Sequence, residues 1–226
     1  MSIANRFNVG VFRFYYAYAE VLNRLLPSIR VDDKTVYVAP RVYKPLEHEQ
    51  RLADTCTPES RVLDLGCGSG VTTVFAAEIA KEVVASDISP AAIGNARKNC
   101  QAHNLANVVL LESDMFEAIE GRFDLIITHP PYFQIEMEGN DAQYATSTSF
   151  LDVLFREAKD YLAEGGRLLV QYPDFQRERL QELAERGGLK MVESRPAERK
   201  GWKLLLTSLL YLQFGNHSQQ YFFEVA

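Results

Sequence analysis

The segment Arg61–Gly70, with the sequence Arg-Val-Leu-Asp-Leu-Gly-Cys-Gly-Ser-Gly, constrains the fold more than any other part of the chain. A short apolar run ends in three glycines at alternate positions, and a helical pattern over Val71–Ala80 follows at once. Glycine is needed where the backbone takes positive φ or lies against a ligand, and the first turn of a helix offers unpaired N–H groups. The segment therefore predicts a strand that enters a binding turn for a negatively charged or hydroxyl-rich small molecule.

The spacing of the glycines indicates which ligand this turn binds. Gly66, Gly68 and Gly70 depart from the dinucleotide fingerprint Gly-x-Gly-x-x-Gly, and Asp64 lies inside the strand two residues before the turn. Together these residues closely resemble the first motif of class I S-adenosylmethionine-dependent methyltransferases. The resemblance implies a Rossmann-like fold and S-adenosylmethionine as methyl donor or as substrate. It also implies cofactor contacts at all four residues, and it points away from nicotinamide cofactors.

A second element of the resemblance lies upstream of the glycine turn. Val42-Tyr43-x-Pro45-x-Glu47 is similar to the Val-Tyr-x-Pro-x-Glu element of methyltransferases that modify glutamine amides or adenine amines. In that family the element lines the methionine end of the cofactor, which implies contacts from Tyr43 and Glu47. A proline-punctuated loop that leads into a helix is the alternative explanation.

Acidic residues follow the next two predicted strands. The strand Glu82–Ser86 ends in Asp87, whose carboxylate could accept hydrogen bonds from both ribose hydroxyls of an adenosine. Asp114 follows the third strand, where related enzymes hold the adenine, and it could accept from the exocyclic amine. Met115 or Ile88 could sandwich the adenine ring.

The fourth predicted strand runs directly into His129-Pro130-Pro131-Tyr132. Two prolines fix φ and lack N–H donors, so the carbonyls at the strand end stay aimed into the site while Tyr132 supplies a flat face. The tetrapeptide resembles the Asn-Pro-Pro-Tyr motif of methyltransferases that act on release-factor glutamine, adenine N6 or guanine N2. The resemblance implies that His129, Pro130 and Tyr132 are the catalytic residues.

His129 stands where that family has asparagine, which leaves the reaction open. The asparagine carbonyl accepts a hydrogen bond from the target amine, whereas imidazole has one acceptor at most and can carry a proton. The preferred function is methyl transfer to a nitrogen of a small molecule or of a planar amide or amine. One alternative is a cyclase that converts S-adenosylmethionine to azetidine-2-carboxylate and methylthioadenosine, as in the azetidine-2-carboxylate synthases. Another is a non-catalytic cofactor-binding subunit.

Residues 1–37 lie outside the resemblance. They are expected to form a helical lid or cap, while residues 38–226 form the S-adenosylmethionine-binding catalytic domain, the two making one structural domain overall. Apolar residues at helical spacing predict a helix over residues 1–26, and packing alone explains most of them. The functional alternative is an aromatic lid over the sulfonium cation. Its candidate residues are Phe12, Phe14, Tyr15, Tyr16 and Tyr18, with Tyr144 from the loop 133–149.

The order of the predicted elements indicates the fold class. Alternating β and α units predict a seven-stranded, mostly parallel α/β sheet in a three-layer α/β/α arrangement, preceded by the aromatic N-terminal helix. Gly165-Gly166 is expected to turn the chain into the fifth strand, Arg167–Tyr172. Leu189–Arg195 and Lys203–Phe214 are expected to form a C-terminal antiparallel hairpin.

Composition limits the expected partners and location. The 226 residues, 47% of them hydrophobic, suit one α/β domain. A net charge of −6 provides no global positive field, so a small-molecule substrate is favoured, nucleic acid is not, and a protein substrate stays open. Three cysteines without a CxxC pair, and the lack of a long apolar run, favour a cytoplasmic protein without a membrane partner. The motifs imply no metal.

Overall fold

The computed structural model describes residues 3–132, 147, 149–197 and 218–226. Among residues 3–12 and at Tyr15, only the helical backbone is described.

The described residues form five α-helices, nine strands and two short 3₁₀ helices. The α-helices are α1 Ile3–Leu25, α2 Val71–Ala77, α3 Pro90–Ala102, α4 Phe150–Tyr161 and α5 Arg177–Gly187. The strands are β1 Ser28–Val31, β2 Lys34–Tyr37, β3 Arg61–Leu65, β4 Glu82–Asp87, β5 Val108–Glu112, β6 Phe123–Thr128, β7 Leu162–Pro173, β8 Leu189–Pro196 and β9 Ser218–Val225. The 3₁₀ helices are Glu49–Thr55 and Asp174–Gln176.

Seven of the strands form one sheet in the order β5-β4-β3-β6-β7-β9-β8. The strands from β5 to β7 pair in parallel, and β9 runs antiparallel to both β7 and β8. This arrangement confirms the predicted α/β class, with its mostly parallel sheet and closing antiparallel pair. Because the carboxyl ends of parallel strands meet at one edge, the residues that follow β3, β4, β5 and β6 lie along the same side of the sheet.

Alternation along the strands divides the core between the two faces of the sheet. In β6, Ile126 packs into the cluster that contains Leu154 and Phe155 of α4, whereas its neighbour Ile127 packs into the cluster that contains Ala76 of α2. Successive side chains of a strand point to opposite faces, so a central strand covered by helices on both faces must be apolar at almost every position. This requirement explains the apolar run of residues 125–127 within β6.

The fifth strand of the sheet begins earlier than expected. The glycine pair Gly165-Gly166 predicts a turn before a strand at residue 167, but β7 already starts at Leu162. Pairing with β6 shifts from Phe123 opposite Leu162 to Leu125 opposite Arg167, and Gly165 has a φ of 74°. The glycines therefore form an irregularity inside a long strand instead of ending a loop.

The strand that pairs with β8 in the described residues is β9. The predicted second arm, Lys203–Phe214, lies outside the described residues. Strand β9 is less apolar than its burial would suggest, because Gln220 is 1% exposed and donates to the Gln171 side chain. Because the two polar side chains bond to each other inside the sheet, the strand lacks the apolar pattern by which a buried strand is predicted.

Helix α1 is anchored to the loop that precedes the glycine turn. Asn23 Nδ2 donates to the carbonyls of Val42, at 2.9 Å, and of Ala39, at 3.3 Å, and the Tyr16 hydroxyl donates to Arg41 O at 3.2 Å. The helix confirms the expected N-terminal element. None of the helices in the described ranges combines the length and the apolar character that crossing a bilayer requires.

Candidate active site

The glycine turn after β3 has the backbone geometry that only glycine adopts readily. Gly66, Gly68 and Gly70 have φ angles of 77°, 53° and 79°. A Cβ atom at Gly70 would lie 2.8 Å from Cα of Ala96, so a side chain here would collide with α3. A Cβ atom at Gly68 would meet nothing within 4 Å. Gly70 therefore serves packing, and Gly68 leaves open space beside the backbone.

Asp64 lies beneath this turn. The residue is 3% exposed, and its carboxylate accepts a hydrogen bond from the Thr73 hydroxyl in α2. Burial raises the pKa of Asp64 to about 7, against the opposing effect of the Thr73 hydrogen bond. We therefore propose that Asp64 acts on the cofactor by fixing the turn between β3 and α2.

Asp87 connects the end of β4 to the glycine turn. Its Oδ2 accepts from Gly68 N and its Oδ1 from Ser89 N, both at 2.9 Å. Burial raises the pKa of this carboxyl, and its two backbone hydrogen bonds oppose the rise. A carboxylate has about four acceptor positions, so these two bonds leave capacity for ribose hydroxyls. The contact of Asp87 with the ribose stays a prediction.

The other predicted adenosine contacts lie on the same edge of the sheet. Asp114 is exposed after β5, Met115 has a φ of 47° and packs partly against the core, and the side chain of Ile88 is 40% exposed. Carboxylate acceptors, an exposed apolar side chain and the open backbone at Gly68 together fit an adenosine. The residues present are therefore suited to S-adenosylmethionine.

The upstream element and the His-Pro-Pro-Tyr motif meet in a hydrogen-bonded cluster. Tyr132 donates from its hydroxyl to Glu47 Oε2 at 2.6 Å, and His129 Nε2 lies 2.7 Å from the same hydroxyl oxygen. Ser218 Oγ of β9 lies 3.2 Å from it. Burial raises the pKa of Tyr132 well above its ordinary value, and the charge of Glu47 adds to this effect, so the residue is a neutral phenol.

Glu49, which is not among the predicted site residues, completes the cluster. Its Oε1 lies 3.5 Å from His129 Nδ1, and its two oxygens accept the N–H groups of Leu46 and Glu47. Burial, with the charge of Glu47 as the second cause, raises the pKa of Glu49 to about 8. The spacing Glu47-His48-Glu49 was the available signal, because a second acid two residues after a predicted site acid is a candidate for the same site.

His129 is enclosed on several sides. Its side chain is 13% exposed, and the ring of Tyr43 packs edge-on against it with 5.9 Å between the ring centroids. Burial lowers the pKa of His129, and the charge of Glu47 only partly opposes this effect, so the imidazole is neutral near pH 7. Pro130 is buried, and Pro131 O accepts from the Tyr172 hydroxyl at 3.3 Å. These contacts hold the motif in one conformation.

The candidate lid residues are only partly described. Phe14 is 67% exposed and stacks on Tyr18 with 6.5 Å between the centroids, while Tyr16 donates to the backbone of the loop before Tyr43. The side chains of Phe12 and Tyr15, and the whole of Tyr144, lie outside the described residues. A lid over the sulfonium stays a prediction.

Comparison with known proteins identifies the family. The profile of the methyltransferase small domain matches residues 49–200, which is 152 of the 226 residues. The chain belongs to this family. The predicted class I methyltransferase superfamily is thereby confirmed, and S-adenosylmethionine is the cofactor.

Two sequence relatives and one solved structure illustrate the range of this methyltransferase family. Ribosomal RNA small subunit methyltransferase C of Haemophilus influenzae is 31% identical over 71% of this chain and 51% of its own length. Release factor glutamine methyltransferase of Xylella fastidiosa is 34% identical over 59% of this chain and 54% of its own length. The chain thus spans about half the length of these relatives. A methyltransferase structure from Pyrococcus furiosus shares the fold, with a TM-score of 0.63, 17% identity, and coverage of 93% of this chain and 96% of that one.

These relatives correct the expected partner. The net charge of −6 favours a small-molecule substrate and disfavours nucleic acid. That inference was wrong, since one relative is named for ribosomal RNA and the other for a release factor. Net charge describes the average field of the whole chain, whereas a substrate meets only the surface around the site.

Proposed function

We propose that this methyltransferase methylates a planar, neutral nitrogen of a macromolecule, and specifically the side-chain amide of a glutamine in a protein. The observation that supports this most is the cluster that Glu47, from before β3, forms with His129 and Tyr132, from the turn after β6. The buried Glu47 carboxylate accepts one hydrogen bond from Tyr132 and keeps further acceptor positions. A primary amide presents two N–H donors to such a site.

The proposed contribution of the protein is mainly orientation. S-adenosylmethionine supplies an electrophilic methyl group on its sulfonium when bound. The cluster would hold the amide nitrogen in line, and burial of its side chains would keep water from competing. His129 has a lowered pKa and is therefore neutral, so it does not repel an incoming N–H donor as an imidazolium would. The amide loses one proton on methylation, and the acceptors of the cluster would receive it.

The relatives support methyl transfer over the other functions considered. Both are methyltransferases by name, and one acts on glutamine, the residue type proposed here. The relative named for ribosomal RNA makes an aromatic base amine the alternative acceptor.

The acceptor class can be tested by transfer of a labelled methyl group. The protein and a Tyr132→Phe control would be incubated with methyl-tritiated S-adenosylmethionine and a cell extract separated into protein and RNA. We expect label that resists ribonuclease and appears as methylated glutamine after complete protein digestion. Label released by ribonuclease would show that the acceptor is a base amine of RNA and not glutamine. Label in neither fraction would contradict a macromolecular acceptor.

A further inference from the structure

Four side chains form a continuous row of contacts through the site, in the order Glu49, His129, Tyr132 and Glu47. The first contact, Glu49 Oε1 to His129 Nδ1, is 3.5 Å long. The second, His129 Nε2 to the Tyr132 hydroxyl, is 2.7 Å, and the third, from that hydroxyl to Glu47 Oε2, is 2.6 Å. The two glutamates come from the segment before β3, and the other two residues come from the turn after β6.

The row requires more hydrogens than its groups ordinarily carry. Each of the three contacts needs one hydrogen between its heavy atoms, because two lone pairs facing each other in a buried site repel. A phenol brings one hydrogen to the row and a neutral imidazole brings one. Two ionised carboxylates bring none. The row therefore contains three links but only two hydrogens.

We infer that this row holds one additional proton at neutral pH, and that the proton resides on Glu49, which is a neutral carboxylic acid that donates to His129 Nδ1. The imidazole then carries its own hydrogen on Nε2 and donates to the Tyr132 oxygen. Tyr132 donates in turn to Glu47. Every link is satisfied, and the net charge of the row is −1 instead of −2.

Geometry and charge select Glu49 over the other possible locations. The bond from Tyr132 to Glu47 is 2.6 Å, a length typical of a hydroxyl that donates to an ionised carboxylate. Glu49 faces that charge and is 3% exposed, and burial with Glu47 raises its pKa to about 8. Burial lowers the pKa of His129, which disfavours an imidazolium at this site. Tyr132 also has a raised pKa and keeps its proton.

Glu49 is therefore a positioning residue that sets the tautomer and the orientation of His129. When Glu49 ionises, Nδ1 faces a carboxylate without a hydrogen between them, and the imidazole must rotate or take up a proton. Rotation breaks the link to Tyr132, whereas protonation keeps it but creates an imidazolium, which burial disfavours and which repels an incoming N–H donor. The consequence for turnover rests on the proposed function, whereas the location of the proton does not.

The proton can be located directly by nuclear magnetic resonance of the wild-type protein. With ¹³C-labelled glutamate and ¹⁵N-labelled histidine, the side-chain carbon of Glu49 should report a protonated acid at pH 6.5 and titrate near pH 8. The His129 nitrogens should shift with the same midpoint. In Glu49→Gln they should stay constant from pH 6.5 to 9, because an amide donates permanently. The exposed Glu185→Gln is the matched control. An ionised Glu49 at pH 6.5, or a protonated Glu47, would overturn the inference.

Turnover provides the second test. Wild-type kcat should fall about tenfold per pH unit above the titration of Glu49, whereas Glu49→Gln should lack this alkaline limb. Glu49→Ala should lose kcat across the whole pH range while KM for S-adenosylmethionine changes little. A limb that persists in Glu49→Gln would overturn the positioning role. If no acceptor is methylated by any form of the protein, the proposed function fails, and the resonance titration still decides where the proton lies.

Discussion

The hydroxyl of Tyr132 donates a 2.6 Å hydrogen bond to Glu47, a residue 85 positions earlier in the chain. This bond connects the segment before β3 to the turn after β6, and the two strands are neighbours in the sheet. A second bond, from Thr128 Oγ1 to Leu65 O at 2.7 Å, aligns the ends of these strands. The packing of the sheet thus brings two motifs that are far apart in sequence into one site.

Removal of the Tyr132 hydroxyl should impair turnover more than cofactor binding. Tyr132→Phe leaves Glu47 and His129 without their shared partner, and hydrogen bonds to charged groups are worth about 1.5–3 kcal/mol. We expect kcat to fall by roughly 10- to 100-fold, with a nearly unchanged dissociation constant for S-adenosylmethionine. Steady-state kinetics and calorimetry would measure both quantities. Tyr161→Phe, which removes a hydroxyl that bonds to Phe116 O, is the control. A mutant as fast as wild type would remove Tyr132 from the mechanism.

Asp87→Ala should weaken the binding of S-adenosylmethionine by about 1.5–3 kcal/mol, because Asp87 is expected to accept from the ribose and also holds Gly68 N. Isothermal titration of the folded mutant would measure this loss. The control is Asp160→Ala, at an exposed residue of α4, which should bind S-adenosylmethionine as tightly as wild type does. Equal affinities for Asp87→Ala and wild type would remove Asp87 from the cofactor site.

Two glycine substitutions should affect stability in opposite directions. Gly70→Ala places a Cβ atom 2.8 Å from the Ala96 backbone at a φ of 79°, which should cost at least about 1–2 kcal/mol of unfolding free energy. Gly94→Ala, inside α3, meets nothing within 4 Å and should stabilise the protein by up to about 1 kcal/mol. Urea denaturation would compare the two. Similar stabilities would refute the role of Gly70 in packing the turn.

Because two buried carboxyls have raised pKa values, we expect the protein to become less stable as the pH rises from about 4.5 to 8. Glu49 and Asp64 have folded-state pKa values near 8 and 7, above their ordinary values of 4.5 and 3.8, so within this window the folded state binds more protons than the unfolded state. Stability is therefore highest below the unfolded pKa and is lost as the pH rises through the folded pKa. The lowered pKa of His129 opposes this trend below pH 6.5.

Urea unfolding at intervals from pH 5 to 9 would measure this dependence. Glu49→Gln and Asp64→Asn should each flatten the decline, since an amide does not titrate. A wild-type stability that rises with pH across the window would contradict the raised pKa values.

The parts of the site that were predicted from the sequence each consist of residues that are close together in the chain. The glycine turn, Asp87 and the His129–Tyr132 motif each depend on residues adjacent in the chain, where backbone conformation restricts the residue type. Glu49 could not be assigned in this way, because its role depends on a contact with His129 that forms only when the sheet assembles. The strand β9 was not predicted for a related reason, since the hydrogen bond between Gln220 and Gln171 allows polar residues in a buried position.

The most direct test of the account is to identify the product formed from S-adenosylmethionine. The purified protein would be incubated with the cofactor, with and without the macromolecular fraction that accepts the label, and the mixtures would be analysed by mass spectrometry. Methyl transfer predicts S-adenosylhomocysteine in amounts equal to the methyl groups incorporated, and intact S-adenosylmethionine when the acceptor is omitted. Catalytic formation of methylthioadenosine without an acceptor, above the protein-free control, would contradict methyl transfer and indicate internal attack by the amine of the cofactor.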